Sequence, residues 1–512
     1  MAKKLFTNAK TEARLNAAVN AGTLDAHVAF IEESGKEGIY AKGKTYQTVP
    51  SNGRDGQILF SQDGRGVWAD FDVIDMLSYG VEWKPNVADP VLTRVGNMNY
   101  HKTLPIQSGM KGCILNPVTK KVVYWLDEAN WQYKKGGNPD KGETEALANL
   151  DGTDGEVFVY VPEFYIKSWD EPTRRCVRIS PTKIDDTWEH QPAIFVAAYR
   201  DTVLNTVPKN MGYLSTLEAN TAISVANNAA YCRGGNNSAT NDANEDIFKR
   251  QLGKCRTNIT RATFRGYTRK AGKEIMSYRQ YKNIMYWLYV IEYANFNSQA
   301  GYNPELTAEG FHQGGLGTGL INVSNWDKYN GYYPISPNGY TNELGNGTGI
   351  KLIAPLGPAP VGNVYATRWR GLENPFGDIW HNVDGIIIDA DADNHPNNIN
   401  YVYTTDDPTK YGDALADIAN MVLSGLEIHQ DGYTKEWDLG TTAEIIPRLM
   451  GGNTTQYKCD YHWTGNKNTI LRTLVLGCGA NAGTNAGLGC FNSLDSVADF
   501  VAYVGFRSVL VV

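Results

Sequence analysis

The stretch that most constrains this chain is Arg370–Gly385, RGLENPFGDIWHNVDG. It packs two turn formers (Gly371, Gly377), an Asn374-Pro375 step and three large apolar side chains (Leu372, Phe376, Trp380) into a short space. Such a sequence suits tight bends pressed into a core rather than a regular helix or strand. Two further stretches read as its partners. Tyr278–Phe296 is rich in Tyr and Trp, and Ala498–Val512, ADFVAYVGFRSVLVV, ends in strand-forming apolar residues. That second segment is expected as a strand of the last sheet. Together the three frame one large C-terminal domain.

A chain of 512 residues has room for two to four domains, and an apolar content of 42% is enough for real cores. Gly 52, Tyr 30 and Trp 12 suit a loop-rich, strand-containing protein. The formal net charge of -7 gives no global reason to bind nucleic acid, which is not expected as a partner. No apolar run reaches the roughly 18 residues of a membrane span. The N-terminus lacks the apolar core of a signal peptide, so the product is expected to stay in the cytosol that makes it, or to leave by lysis or assembly. Seven cysteines without a C-x-x-C are neither a disulfide scaffold nor a zinc module.

The fold class expected is α+β, in three parts. Residues 1–55 read as an N-terminal attachment segment, with helical pieces over Asn8–Val19 and Leu24–Glu33 and a hairpin over Lys36–Gln47. Residues 56–204 read as a β-rich middle domain. Its strands are Ile58–Phe60, Gly112–Leu115, Val122–Trp125, Val157–Val161 and Phe164–Ser168. Residues 205–512 form the third part. Leu214–Tyr231 has a helical period, and Met276–Phe296 is the best helix, capped by Ser277 with Ile284, Leu288 and Ile291 on one stripe. Asn303–Gly349 reads as loop, and Val383–Ile388, Tyr401–Thr404, Leu471–Leu476 and Phe500–Val511 as strands.

GLENPFGDIWHNVDG resembles the signature of C-type-lectin-like folds of the formylglycine-generating-enzyme type, a G-L-x-N-x-x-G-N-[VI]-W-E-W phrase followed at the C-terminus by GFR. Gly371, Leu372, Asn374, Gly377, Ile379 and Trp380 match; Asp378, His381 and Asn382 depart from it; Gly505-Phe506-Arg507 matches the second part. Tyr286–Ala294, YWLYVIEYA, resembles the family's E-W-E-Y-A helix. The run Leu474–Arg507 is similar to the variable-region ends of phage tropism determinants and other ligand-binding proteins diversified by retroelements. Ala29–Gln47 and the phrase DPVLTRVGNMNYHKTLPIQSGMKGCIL resemble tail and structural proteins of phages of gut bacteria. The lectin-like resemblance covers roughly residues 210–512.

Candidate sites follow from residue chemistry. Formylglycine-generating enzymes use a reactive cysteine pair; Cys478 and Cys490 lie in that region, but with no adjacent base to activate a thiol, so catalysis is not expected. Asp389, Asp391 and Asp393 could hold a hard cation such as calcium through oxygens, although a solvated acidic turn is the default and no cofactor is required. Lys249–Lys273 carries nine basic residues and no acidic one. The binding reading is stronger. Asn481, Thr484, Asn485, Phe491, Asn492, Ser493, Asp495 and Asp499 offer adaptable hydrogen bonds between apolar strands, with Trp326, Tyr329, Tyr332 and Tyr333 as a second contact group. Phe491 is equally suited to core packing, and Tyr503, Trp287, Trp380 and Phe506 are assigned to the core.

The resemblance implies a non-enzymatic virion protein, a homotrimeric fibre or tail adhesin. It would present a lectin-like domain to a bacterial surface receptor, protein or glycan, and attach to other virion proteins through its N-terminal part. The alternatives are a structural virion component (head fibre, decoration or tail hub) and a formylglycine-generating-type oxidase.

Overall fold

A computed structural model describes residues 73–204, 217–226, 253–317, 334–354, 364–390, 398–440, 442–464 and 471–512, and the backbone of five short strands between 29 and 70. The described chain is strand-rich α+β. One helix is buried among its sheets, in an apolar core that runs from Tyr79 to Val509.

The helix is Tyr278–Tyr293. Ser277 closes its N-terminus in a reciprocal capping box with Gln280. Tyr281–Trp287 is wound as a π-helix, and Leu288–Tyr293 returns to α. A stripe at Ile284, Leu288 and Ile291 would leave the other face wet, but Tyr281 to Ala294 are all buried, Lys282, Asn283 and Glu292 included. The helix is buried all round, and its polar residues are paired internally. Lys282, for example, lies 3.4 Å from Glu444 and 3.6 Å from Glu189.

The six-stranded sheet runs Glu274–Ile275, Ser508–Val511, Ile194–Ala197, Glu156–Val161, Lys111–Asn116, Lys121–Trp125. The C-terminal strand is thus internal, pairing Val509 with both Val196 and Glu274. Strands from both sides of residue 204 share this sheet. A second, five-stranded sheet (Glu189–Gln191, Phe164–Glu171, Arg174–Ser180, Tyr79–Trp83, Thr93–Gly96) packs its Val81, Val177 and Ile166 into the same core.

The segment Arg370–Gly385 bends as its composition demands. Arg370 (φ 49) and Gly371 (φ 85) form the two-residue turn between Tyr365–Trp369 and Leu372–Glu373, in which Trp369 pairs with Leu372. Both turn residues need positive φ, which favours glycine. A Cβ on Gly371 would also lie 2.9 Å from the Trp131 ring. Trp380–Asn382 then enters a seven-stranded sheet between Val475–Leu476 and Val504–Gly505.

Several expected elements differ. Within Leu214–Tyr231 the described part is the strand Thr221–Ile223, paired with Thr202–Leu204; all three of its side chains are buried, which its β-branched residues suit better than a helix. Ala29–Phe30 pairs as a strand with Gly38–Tyr40, inside an expected helix; Asn8–Val19 lies outside the described residues. Leu471–Leu476 and Phe500–Val511 each split into two short strands in different sheets. Arg261–Lys270 is a helix that periodicity did not reveal.

One buried histidine makes stability pH-dependent. His101 is 1% exposed, its Nε2 lies 3.1 Å from the Val95 carbonyl oxygen, and burial, with Arg94 nearby, lowers its pKa to about 4. The folded pKa lies below the unfolded value, so the unfolded chain binds the proton first and stability is lost as pH falls from 6.5 towards 4. The Asp378 carboxyl, raised to about 6 by burial, works in the opposite direction. The readout is therefore the difference between wild type and His101→Gln. That difference should shift by about 3 kcal/mol between pH 7 and pH 4 in urea unfolding, the wild type losing more. Parallel pH curves would show that folding leaves the His101 pKa unshifted.

Candidate ligand pocket

Strands of the seven-stranded sheet and the loops at their ends enclose a pocket of about 340 Å³. It is lined by Trp380, Trp463, Asn481, Ala482, Asn485, Asn492, Leu494 and Tyr503. Each wall has a structural origin. Trp463 stands opposite Asn492 in the parallel ladder between Tyr461–Thr464 and Phe491–Ser493. Trp380 opens its strand beside Val504, its N–H donating to the Tyr503 carbonyl at 2.9 Å. Asn481, Ala482 and Asn485 come from the loop that joins Val475–Leu476 to Phe491–Ser493.

That loop is fixed at its base. Cys478 and Cys490 are joined by a disulfide, with Cα atoms 6.1 Å apart, and both are fully buried. The Gln299 side chain donates to the carbonyls of Gly483 (3.1 Å) and Ala486. The Tyr433 hydroxyl donates to Asn485 Oδ1 at 2.5 Å, and the Asn492 carboxamide accepts the Leu494 N–H at 2.7 Å. The amides are thus held in place rather than free to rotate.

An aromatic ladder leads into the pocket. Ring centroids run Tyr433–Tyr461 at 5.0 Å, Tyr461–Trp463 at 4.4 Å and Trp463–Trp380 at 5.4 Å. No lining residue is charged. Indole and phenol faces provide apolar platforms, and three carboxamides provide both donors and acceptors. This combination suits an uncharged polar ligand group. Asp495 and Asp499 lie close enough that, after burial, they raise the Tyr503 pKa. Acidic ligands would meet this field with repulsion.

No protein-family model and no curated protein matches the chain. Among solved structures it is similar to one titled Major Tropism Determinant U1 Variant, at 11% identity over 68% of this chain and 71% of that one, with a TM-score of 0.17. So loose a superposition does not equate the two folds, and the pocket stands on its own residues.

Of the residues singled out from sequence, the fold brings Asn481, Asn485 and Asn492 into the pocket. Thr484 is exposed beside them, on the turn Gly483–Asn485. Phe491 and Ser493 are fully buried on the opposite face of the same strand, so neither is placed to contact a ligand; Ser493 donates to Glu427 at 2.6 Å. Asp495 is half-buried and Asp499 exposed, outside the pocket lining. Trp326, Tyr329, Tyr332 and Tyr333 lie outside the described residues, as do Asp391 and Asp393. Asp389 ends the strand Ile386–Asp389. Among the described residues, no group of three or more His, Cys, Asp or Glu is arranged to hold a metal. Trp380, assigned to the core, is buried in the main apolar cluster and also lines the pocket; Tyr503, likewise assigned, is 36% exposed and lines it too. Trp463 was missed, although the alternation in Tyr461–Thr464 puts His462 inside and the two aromatic rings on the other face.

Five of the nine cations of the basic stretch are paired with carboxylates of the described chain. Arg261 and Arg265 are buried against Asp384 and Asp413, Lys273 is buried against Glu156 at 2.5 Å, and Arg269 and Lys270 pair with Glu274 and Glu218. These cations are not available as a phosphate-binding face.

Proposed function

We propose that this chain is a non-enzymatic phage virion protein, an adhesin whose C-terminal part, a C-type-lectin-like ligand-binding unit over residues 205–512, meets a receptor on the bacterial surface. The observation that carries this reading is the uncharged pocket, whose two tryptophans and three asparagines are set on paired strands and on a loop pinned by a disulfide. A rigid frame presenting aromatic and amide side chains is what a recognition surface needs. In this reading residues 1–55 attach the protein to the particle, residues 56–204 form the β-rich support, and the protein acts as a homotrimer.

The oxidase reading has little chemical support. Cys478 and Cys490 are bonded to each other and buried, so neither offers a thiolate. Ser493, His462 and Glu427 do meet, but both Ser493 and His462 are hydrogen-bonded to the carboxylate rather than to each other, and all three are fully buried.

A structural virion role remains the second reading, favoured by one observation. The edge strand Val422–Ile428 exposes Val422 (70%), Leu423 (46%) and Leu426 (39%), which would suit an assembly contact.

Adsorption of purified protein to cells of susceptible bacteria separates the two. Trp463→Ala and Asn485→Ala are each expected to weaken binding about tenfold or more while circular dichroism shows the fold retained. Full adsorption by both folded variants, or by a chain with Asn481–Asp495 replaced, would remove the pocket from receptor binding and leave the assembly reading.

A further inference from the structure

Two buried polar side chains lie at the strands Trp380–Asn382 and Val504–Gly505. Arg200 is only 3% exposed, yet none of its three side-chain nitrogens has a hydrogen-bond partner among the described residues. Its Cδ packs 3.4 Å from where a Cβ on Gly505 would stand, and Gly505 pairs directly with His381 across the parallel ladder. His381 is fully buried, and neither of its ring nitrogens has a protein partner. Its ring is set edge-on to Tyr281, with centroids 5.2 Å apart. A second buried guanidinium, Arg507, is close enough to be felt by both. Its Nη atoms are spent on the carbonyls of Ala197, Ala198 and Glu373, and its Nε is left over.

Carboxylates lie nearby, Asp201 and Glu373 within reach of Arg507, but among the described residues none hydrogen-bonds Arg200. Asp378 is the carboxylate within electrostatic reach of Arg200, but its oxygens are directed elsewhere, to the Ile335 N–H at 3.0 Å and the Asn374 amide at 3.5 Å. A buried guanidinium without partners is strongly destabilising, and its N–H groups all demand acceptors. Water could take the hydrogen bonds; an anion would take them and also offset at contact the charge that Asp378 meets only at a distance. The surroundings also disfavour a second cation: burial, followed by Arg200 and Arg507, lowers the His381 pKa well below the usual imidazole value, so the ring is neutral and keeps one N–H to donate.

We infer that Arg200 and His381 form an internal site for a small monovalent anion of halide size, accepting from the Arg200 guanidinium and one His381 N–H. The ion would brace the strand that begins with Trp380, one wall of the ligand pocket. The site stands whether or not the pocket binds a receptor.

The test is thermal unfolding of the full chain in sodium chloride, bromide and gluconate at matched ionic strength. The midpoint should be higher in either halide and rise by roughly 1 °C per tenfold increase in halide above saturation. Crystals grown in bromide should show an anomalous peak beside Arg200. Arg200→Met should unfold at the same midpoint in all three salts. His381→Glu, which supplies a carboxylate from the chain itself, should also lose the dependence. Equal wild-type midpoints in chloride and gluconate would overturn the inference, as would bromide-grown crystals with no anomalous peak at the site.

Discussion

Replacing Asp384 by alanine is expected to cost about 3–5 kcal/mol of unfolding free energy, measured by chemical denaturation. Asp384 is fully buried and holds Arg265 in a two-pronged pair, Nε to Oδ2 at 2.6 Å and Nη2 to Oδ1 at 2.8 Å. Asp413 bridges the same two arginines, to Arg265 Nη1 at 2.7 Å and Arg261 Nε at 2.8 Å. Two buried guanidiniums thus share two carboxylates. Removing Asp384 leaves two cations on one carboxylate, in a region where water cannot replace the lost partner. The large effect does not mean that the network stabilises by that amount, since a buried pair roughly offsets its own desolvation. A double variant separates these statements. Arg265→Met with Asp384→Ala removes one charge of each sign and should be more stable than Asp384→Ala alone. If the two losses simply add, the pair is not coupled. The backbone of Asp384 also carries load: its carbonyl accepts the Tyr278 N–H at 2.9 Å, and its N–H donates to Met276 at 3.1 Å. The end of Arg370–Gly385 is therefore tied to the start of the helix.

That network shows where reading the sequence stopped. The nine cations of Lys249–Lys273 were visible, but Asp384, Asp413 and Glu156, the partners of Arg261, Arg265 and Lys273, are more than a hundred residues away, and no local pattern pairs these three. Local signals fared better. The Ser277 cap, the turn at Gly371 and the strands over Val157–Val161 and Tyr401–Thr404 each rest on neighbours within a few residues. The helix Tyr278–Tyr293 was placed correctly, but its stripe suggested one dry face. Burial of Lys282 and Glu292 depends on sheets that the sequence does not order. The pocket divides the same way. Asn481 and Asn485 declare themselves by polarity in a glycine-rich loop. Trp380 and Tyr503 read as core because an aromatic residue beside apolar ones is usually buried. Trp380 is indeed in the core; that it also lines a pocket, with Tyr503 exposed beside it, depends on how Val504–Gly505 pairs with Trp380–Asn382, a contact between segments more than a hundred residues apart.

Replacing Glu292 by alanine should also cost about 3–5 kcal/mol, and it tests whether the scaffold and the site can be separated. Glu292 is 1% exposed near the end of the helix. It accepts from Arg370 Nη2 at 2.7 Å, from Arg370 Nε at 3.1 Å and from Trp369 Nε1 at 3.1 Å. Its carbonyl takes Arg94 Nη2 at 3.0 Å, which brings in the five-stranded sheet. One side chain thus fastens the helix to the turn that opens Arg370–Gly385. Alanine would strand the guanidinium and the buried indole N–H together. Glutamine keeps an acceptor for Trp369 but loses the charge, so Glu292→Gln should fall between wild type and Glu292→Ala. Neither residue lines the pocket. At a temperature where Glu292→Gln is fully folded, its adsorption to cells should match wild type, whereas Trp463→Ala should bind poorly although folded. If Glu292→Gln lost binding while fully folded, the helix would have to set the pocket's geometry through Arg370, and the scaffold could no longer be treated as separate from the site it carries.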